Sequence, residues 1–230
     1  MTIKIGVLTH SRKDQYTFKE LEKQLDVTFL CKVGVLDYAV PVAVSLEKMN
    51  AEALIATSAT AAHIKNHVGI PVIPLYVRNE NLLDALLRAK QMGGAIAFAD
   101  INKHVLYDID RLADLLECDI KRYPFNHLDE TEQVVADALG EGRQVMVTQA
   151  DCMASCASRN GLPSVIVPIT RQDIVDAVEH AKILISLHNK QMEKISWLTA
   201  VIDNYPEGVS SPTASERSPC STTRCCPPSP

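Results

Sequence analysis

The segment Thr57-Ser58-Ala59-Thr60-Ala61 follows the apolar run Ala53 to Ala56 and precedes a stretch of helical period. Small side chains let the backbone approach a guest, hydroxyls donate hydrogen bonds, and a helix N-terminus adds unpaired N–H groups and a positive dipole end. A carboxylate or a phosphate suits such a place. The same residue types also suit a helix that needs only a cap, so Ser58 and Thr60 read equally as capping residues. The segment Gln149-Ala150-Asp151-Cys152 follows the run Val145 to Val147 in the same way and carries the same two readings. Asp100 and Asn102, just past the run Ala95 to Ala99, either face a cleft or start a turn. Arg78 and Asn79 either form a hinge surface or touch a ligand, and Arg78 suits an acidic guest.

Other chemistries lack their residues. Cys152 and Cys156 are four apart, as are His63 and His67, yet neither pair has the further neighbours of a zinc signature. There is no phosphate-binding P-loop, no Gly-rich dinucleotide fingerprint, no Gly-x-Ser-x-Gly elbow and no His-Glu-x-x-His. Nothing pairs a nucleophile with a base. The expectation is a binding module with no catalytic residue, no metal and no cofactor.

These residues need a frame, and 230 residues suffice for one large or two small domains without staples. A hydrophobic fraction of 47% with 22% charged residues is globular. The 23 Lys and Arg are scattered and the net charge is -5, which argues against direct nucleic-acid contact. No apolar run reaches the roughly 18 residues that span a membrane, and the N-terminus reads as a strand rather than an export signal. A cytoplasmic protein is expected, with Cys31, Cys118, Cys152 and Cys156 as free thiols.

Eight short apolar runs alternate with helical patterns: Ile3 to Leu8, Val27 to Leu30, Ala53 to Ala56, Val72 to Leu75, Ala95 to Ala99, Ile120 to Tyr123, Val145 to Val147 and Val165 to Val167. Such alternation predicts α/β architecture with parallel sheets. Residues 53–75 and 145–169 repeat one plan of strand, small polar loop, helix, Gly-apolar-Pro turn and second strand. Gly69 and Gly161 align the two, and the same spacing lays the N-terminal strand near residues 95–102. The prediction is two similar parallel-sheet lobes with a cleft between the carboxyl ends of their strands. Lobe 1 takes residues 1–77, completed by about 170–190, and lobe 2 takes 78–169. Residues 170–204 form one long helix, with Ile174, Val178, Ala181, Ile185, His188, Met192, Ile195 and Ile202 at alternating steps of four and three and Thr199 interrupting. That helix is about 50 Å long at 1.5 Å per residue, so its second half projects as a signalling linker suited to a homodimer.

The stretch IATSATAAHIKNHVGIPVIPL, then LLDALLRAKQMGGAIAFAD, VVADALGEGRQVMVT and RNGLPSVIVPITRQDIVDAVEHA, resembles the N-terminal sensor domain of PrpR-type regulators. These are the propionate catabolism activators, within the sigma-54-dependent transcription activators. The resemblance covers about residues 3–190 and rests on the order of segments. It implies a two-lobed receptor domain for a small organic acid, 2-methylcitrate in the propionate regulators, that controls a following ATPase domain and a DNA-binding helix-turn-helix. The family's small-residue loop matches Thr57 to Ala61, with Ser58, Ala59 and Thr60 where glycines are common. Its Ser-Gly-Tyr-Asp-like connection is replaced by Val77 to Asn81, and its second Gly-rich loop by Gln149-Ala150-Asp151. These departures all fall at the expected cleft, so fold and regulatory role carry over better than ligand. The rival from another class is a two-lobed small-acid enzyme of the amino-acid racemase type, which needs an acid/base residue from each lobe. The repeat sets Thr60 opposite Cys152, an incomplete pair.

Residues 205–230 read as a disordered tail of Ser, Pro, Thr and Cys. The helix end ISWLTAVIDNYPEGV resembles the entry into a PAS domain, and the tail read one base earlier gives, for suitable codons, VIADRQRAVALFNNALLPPI. The expectation is a frameshift or truncation that separates this sensor from PAS, ATPase and DNA-binding domains.

Overall fold

The computed structural model describes residues 2–10, 12–101 and 107–203, residues 12–14 by backbone alone. Asn102 and the tail from residue 205 lie outside the described residues. The chain runs β1 (Ile3–Thr9), α1 (Arg12–Leu25), β2 (Val27–Val33), α2 (Ala39–Lys48), β3 (Ala53–Thr57), α3 (Ser58–Ile64), β4 (Val72–Leu75) and α4 (Asn79–Met92). The same order then returns as β5 (Ala95–Ile101), α5 (Ile109–Leu116), β6 (Asp119–Phe125), α6 (Thr131–Gly140), β7 (Val145–Thr148), α7 (Asp151–Arg159), β8 (Ser164–Ile166) and α8 (Arg171–Asp203). Short 3-10 turns at Leu36–Tyr38 and Leu128–Glu130 precede α2 and α6. Each apolar run of the sequence is a strand, and the fold is α/β with two four-stranded parallel sheets.

The sheets are ordered β2-β1-β3-β4 and β6-β5-β7-β8. Both orders reverse between the central strands, and the crevice outside the carboxyl ends at such a switch is where open α/β sheets take ligands. The repeat is slightly imperfect. From β3 onward equivalent residues are 92 apart, so that Asn81 and Asp173 correspond. At β1 the pairing Ile5 with Ala53 becomes Ile96 with Val145, one residue farther apart in sequence. Lobe 2 therefore holds one additional residue between β6 and its 3-10 turn.

The helix after each fourth strand covers the other sheet. Leu82, Leu86 and Ala89 of α4 are buried with Ile96, Phe98, Val145 and Val147 of lobe 2. Ile174, Val178, Ala181 and Ile185 of α8 are buried with Ile5, Val7, Phe29 and Ile73 of lobe 1, where Phe18 meets Phe29 edge-on at 5.3 Å. Each aliphatic side chain so buried contributes about 1.5–3 kcal/mol before ordering costs. The apolar period of four and three in the first half of α8 thus follows from what it covers. Residues Met1–His188 form one compact unit, and Asn189–Pro230 form a second whose described part is helical and exposed.

The other face of lobe 1 depends on Gly6. A Cβ there would stand 2.5 Å from Leu54 Cδ2 and 3.2 Å from Leu46 Cβ, both buried in the layer between β3 and α2. Gly6→Ala is expected to cost about 1–3 kcal/mol through overpacking, read as a lower urea midpoint with unchanged slope.

Candidate functional site

The carboxyl ends of β1, β3, β5 and β7 converge. His10, Thr57, Ser58, Ala59, Asp100, Gln149 and Ala150 help line a small hollow of about 30 Å³ between the lobes. A larger cavity of about 280 Å³ adjoins it and shares His10, Thr57 and Gln149, with Thr17, Asp151 and the hinge residues Val77 and Pro168 on its walls. The larger one has room for part of a small metabolite, and the smaller for about one water.

Each wall is fixed by its own bonds. Thr57 ends β3 and α3 begins at once at Ser58, so the expected loop is the first turn of a helix. His10 Nε2 lies 3.1 Å from Thr57 Oγ1, and the Thr57 hydroxyl donates to Thr60 Oγ1 at 3.3 Å. Thr60 is only 1% exposed and also accepts the backbone N–H of Leu36 at 3.2 Å. It supports the site from behind. In lobe 2, Ala150 N donates to Thr148 Oγ1, and Gln149 Nε2 donates to Tyr107 Oη at 3.2 Å. Tyr107 Oη in turn donates to Val77 O in the hinge, and burial raises the phenol above its ordinary value. Asp100 accepts from the N–H of Ile101 at 2.8 Å and from Arg122 at 3.1 Å, so it is both turn-former and rim residue.

The residues singled out by the sequence therefore divide. Ser58, Ala59, Asp100, Gln149 and Asp151 stand on the cleft. Cys152 is exposed one residue beyond it, with its thiol raised chiefly by desolvation of the sulfur and further by Asp151. Arg78 lies at the hinge, donating to Asp176 at 2.8 Å with Asp173 at 3.7 Å. Asn79 borders a separate groove with Tyr107 and Arg111. Among the described residues no group of three His, Cys, Asp or Glu side chains is placed to hold a metal, and no described helix is long and apolar enough to cross a membrane.

His10, Thr57 and Tyr107 were not singled out. The rule that selected Asp100, a residue at the carboxyl end of a central strand, selects His10 when applied to β1. Thr57 was visible as part of its segment but was not separated from Ser58. Nothing local marks Tyr107, whose role depends on the fold bringing it to Gln149.

A family model described as propionate catabolism activator matches residues 21–191. The structure is similar to a crystal structure of an NtrC family transcriptional regulator from Clostridium acetobutylicum, with a TM-score of 0.72 and 23% identity over 81% of this chain and 98% of that one. It is also similar to an ABC domain in complex with L-Trp from Streptococcus pneumonia, with a TM-score of 0.50 and 11% identity over 81% of this chain and 85% of that one. These two likenesses concern the fold. No curated protein sequence matches the chain.

Proposed function

The chain belongs to the propionate catabolism activator family, and from that premise we propose that it is the ligand-sensing domain of a sigma-54-dependent transcription activator. Its ligand is a small organic acid, of the 2-methylcitrate kind, held between the lobes. The observation that carries this reading is the convergence of four strand ends, from both lobes, on His10, Thr57, Ser58, Asp100 and Gln149. A guest touching both walls binds the closed arrangement better than an open one, and a difference of affinity is what shifts a two-state element. The output passes along α8, whose first half is packed in lobe 1 and whose residues Met192, Ile195 and Ile202 are exposed. In the assembled regulator that stretch pairs with a second copy and leads to PAS, ATPase and DNA-binding domains.

A thermal-shift panel of di- and tricarboxylic acids tests the ligand class. An acid that binds only the folded chain raises the melting temperature in proportion to the logarithm of its concentration. A panel in which neutral sugars or amino acids shift the midpoint and no acid does so would reassign the ligand.

The rival enzyme needs a proton donor and acceptor on opposite walls. Thr60 is buried against Leu36 N, and desolvation raises the Cys152 thiol, which disfavours the thiolate that a base would need. The expected result with amino and hydroxy acids is no turnover, and no change on Cys152→Ser. Conversion that disappears in Cys152→Ser would establish the enzyme.

A further inference from the structure

Each lobe carries a rim loop beside the cleft, the 3-10 turn Leu36–Tyr38 in lobe 1 and Leu128–Glu130 in lobe 2. Asp37, in the first of them, stands between two histidines. Its Oδ1 lies 3.3 Å from His63 Nε2 of α3, in its own lobe, and its Oδ2 lies 3.3 Å from His127 Nδ1, at the entry to the rim loop of lobe 2. His63 Nδ1 contacts the carbonyl of Ala59 at 3.0 Å, which fixes its ring toward Asp37. We propose that Asp37 and His127 form a clasp that holds the two lobes closed at the mouth of the cleft.

Three observations support this. The backbone at Leu36 is left-handed, with φ of 49°, a conformation costly for a bulky residue. It is held there by burial of the Leu36 side chain and by the bond from its N–H to Thr60 Oγ1. That strained residue immediately precedes Asp37 and sets where its carboxylate points. Second, Thr60 is bonded to Thr57, and Thr57 to His10, so one hydrogen-bonded path joins the cleft wall to the loop that presents Asp37. Third, the clasp forms once. The residue equivalent to His127 in lobe 1 is Val35, which lines the small hollow and offers Asp129 no partner of its kind.

Asp37 and His127 are each 60% exposed, so water competes for both. A pair of this kind changes an equilibrium by up to about fivefold and no more. That strength suits a clasp that must open. Closure that is too firm would exclude the guest, and closure that is too weak would lower its apparent affinity by the fraction of chain in the competent state.

The test needs no ligand, so it is independent of what the cleft binds. Dyes placed through noncanonical residues at the exposed positions Lys48 of α2 and Ala136 of α6 report the distance between lobes by single-molecule energy transfer. Asp37→Asn and His127→Ala are each expected to raise the open-to-closed ratio roughly two- to fivefold, and the double variant no further than either. In the wild type at pH 5, where an ordinary imidazole is charged, 1 M salt is expected to move the distribution toward that of the variants, because an exposed ion pair is screened. The salt response needs no substitution and guards against a variant that fails to fold. Additive effects of the two substitutions, or a wild-type distribution unchanged by both His127→Ala and salt, would overturn the clasp.

Discussion

Asp173→Ala is expected to lower stability by about 2–4 kcal/mol, with a fall in melting temperature of roughly 5–15 °C for a chain of this size. Asp173 is 2% exposed at the start of α8, where the two crossovers meet. Its Oδ2 accepts from Thr170 N at 2.7 Å, from Thr170 Oγ1 at 2.8 Å and from Asn81 Nδ2 at 3.0 Å. Thr170 Oγ1 accepts in return from Asp173 N at 3.4 Å, a reciprocal cap for α8. Alanine strands the Thr170 donors and the Asn81 amide. Two effects soften the loss. Arg78, facing Asp173 Oδ1 at 3.7 Å, is 39% exposed and returns to water, and Oδ1 has no hydrogen bond to forfeit. A fall below about 2 °C would mean that the helix start is held by its apolar face alone.

The companion variant is Asn81→Asp. Asn81 and Asp173 are equivalent residues of the two halves, and they touch where the crossovers meet. An amide donor opposite a carboxylate is what lets that contact form. Two carboxylates there would repel until one takes a proton, which the folded chain would then bind more tightly than the unfolded chain. The variant's stability is accordingly present at low pH and lost as pH rises through the carboxylate range, whereas Asp173→Ala lacks this recovery. A melting temperature of Asn81→Asp that tracks the wild type at every pH would remove the contact from the hinge.

The architecture was legible because burial on both faces of a parallel strand demands continuous apolar runs, and lengths of about five residues separate strands from helices. The duplication was legible because Gly69 and Gly161 punctuate both halves. Its one-residue slip was not, since Ile5 and Ile96 are told apart from their neighbours only by which face they bury. The cleft was legible as a consequence of strand ends, and Ser58, Asp100 and Gln149 stand on it for that reason. Thr60 and Arg78 show what composition leaves open. A hydroxyl one turn into a helix faces either ligand or core, and a hinge arginine either a guest or the next helix. The partners that decide these, Leu36 N and Asp176, are 24 and 98 residues away.

Ser58→Trp is expected to abolish the stabilisation that the ligand confers while leaving the melting temperature of the free chain nearly unchanged. At a hundredfold excess over Kd a ligand adds about 2.7 kcal/mol, or roughly 5–11 °C here, and all of it is at stake. Ser58 is the first residue of α3, half-buried and facing the small hollow, so an indole there has the cleft to enter rather than the core. Thr60 is the wrong residue for this purpose, because enlarging a side chain that is buried against Leu36 would disturb the fold before it disturbed the ligand. Asn79→Ala supplies the control. It is exposed and borders the groove beside Tyr107 rather than the cleft, so its ligand response is expected to equal that of the wild type. The reverse pattern, a full shift in Ser58→Trp and none in Asn79→Ala, would move the binding site from the strand ends to the groove beside α4.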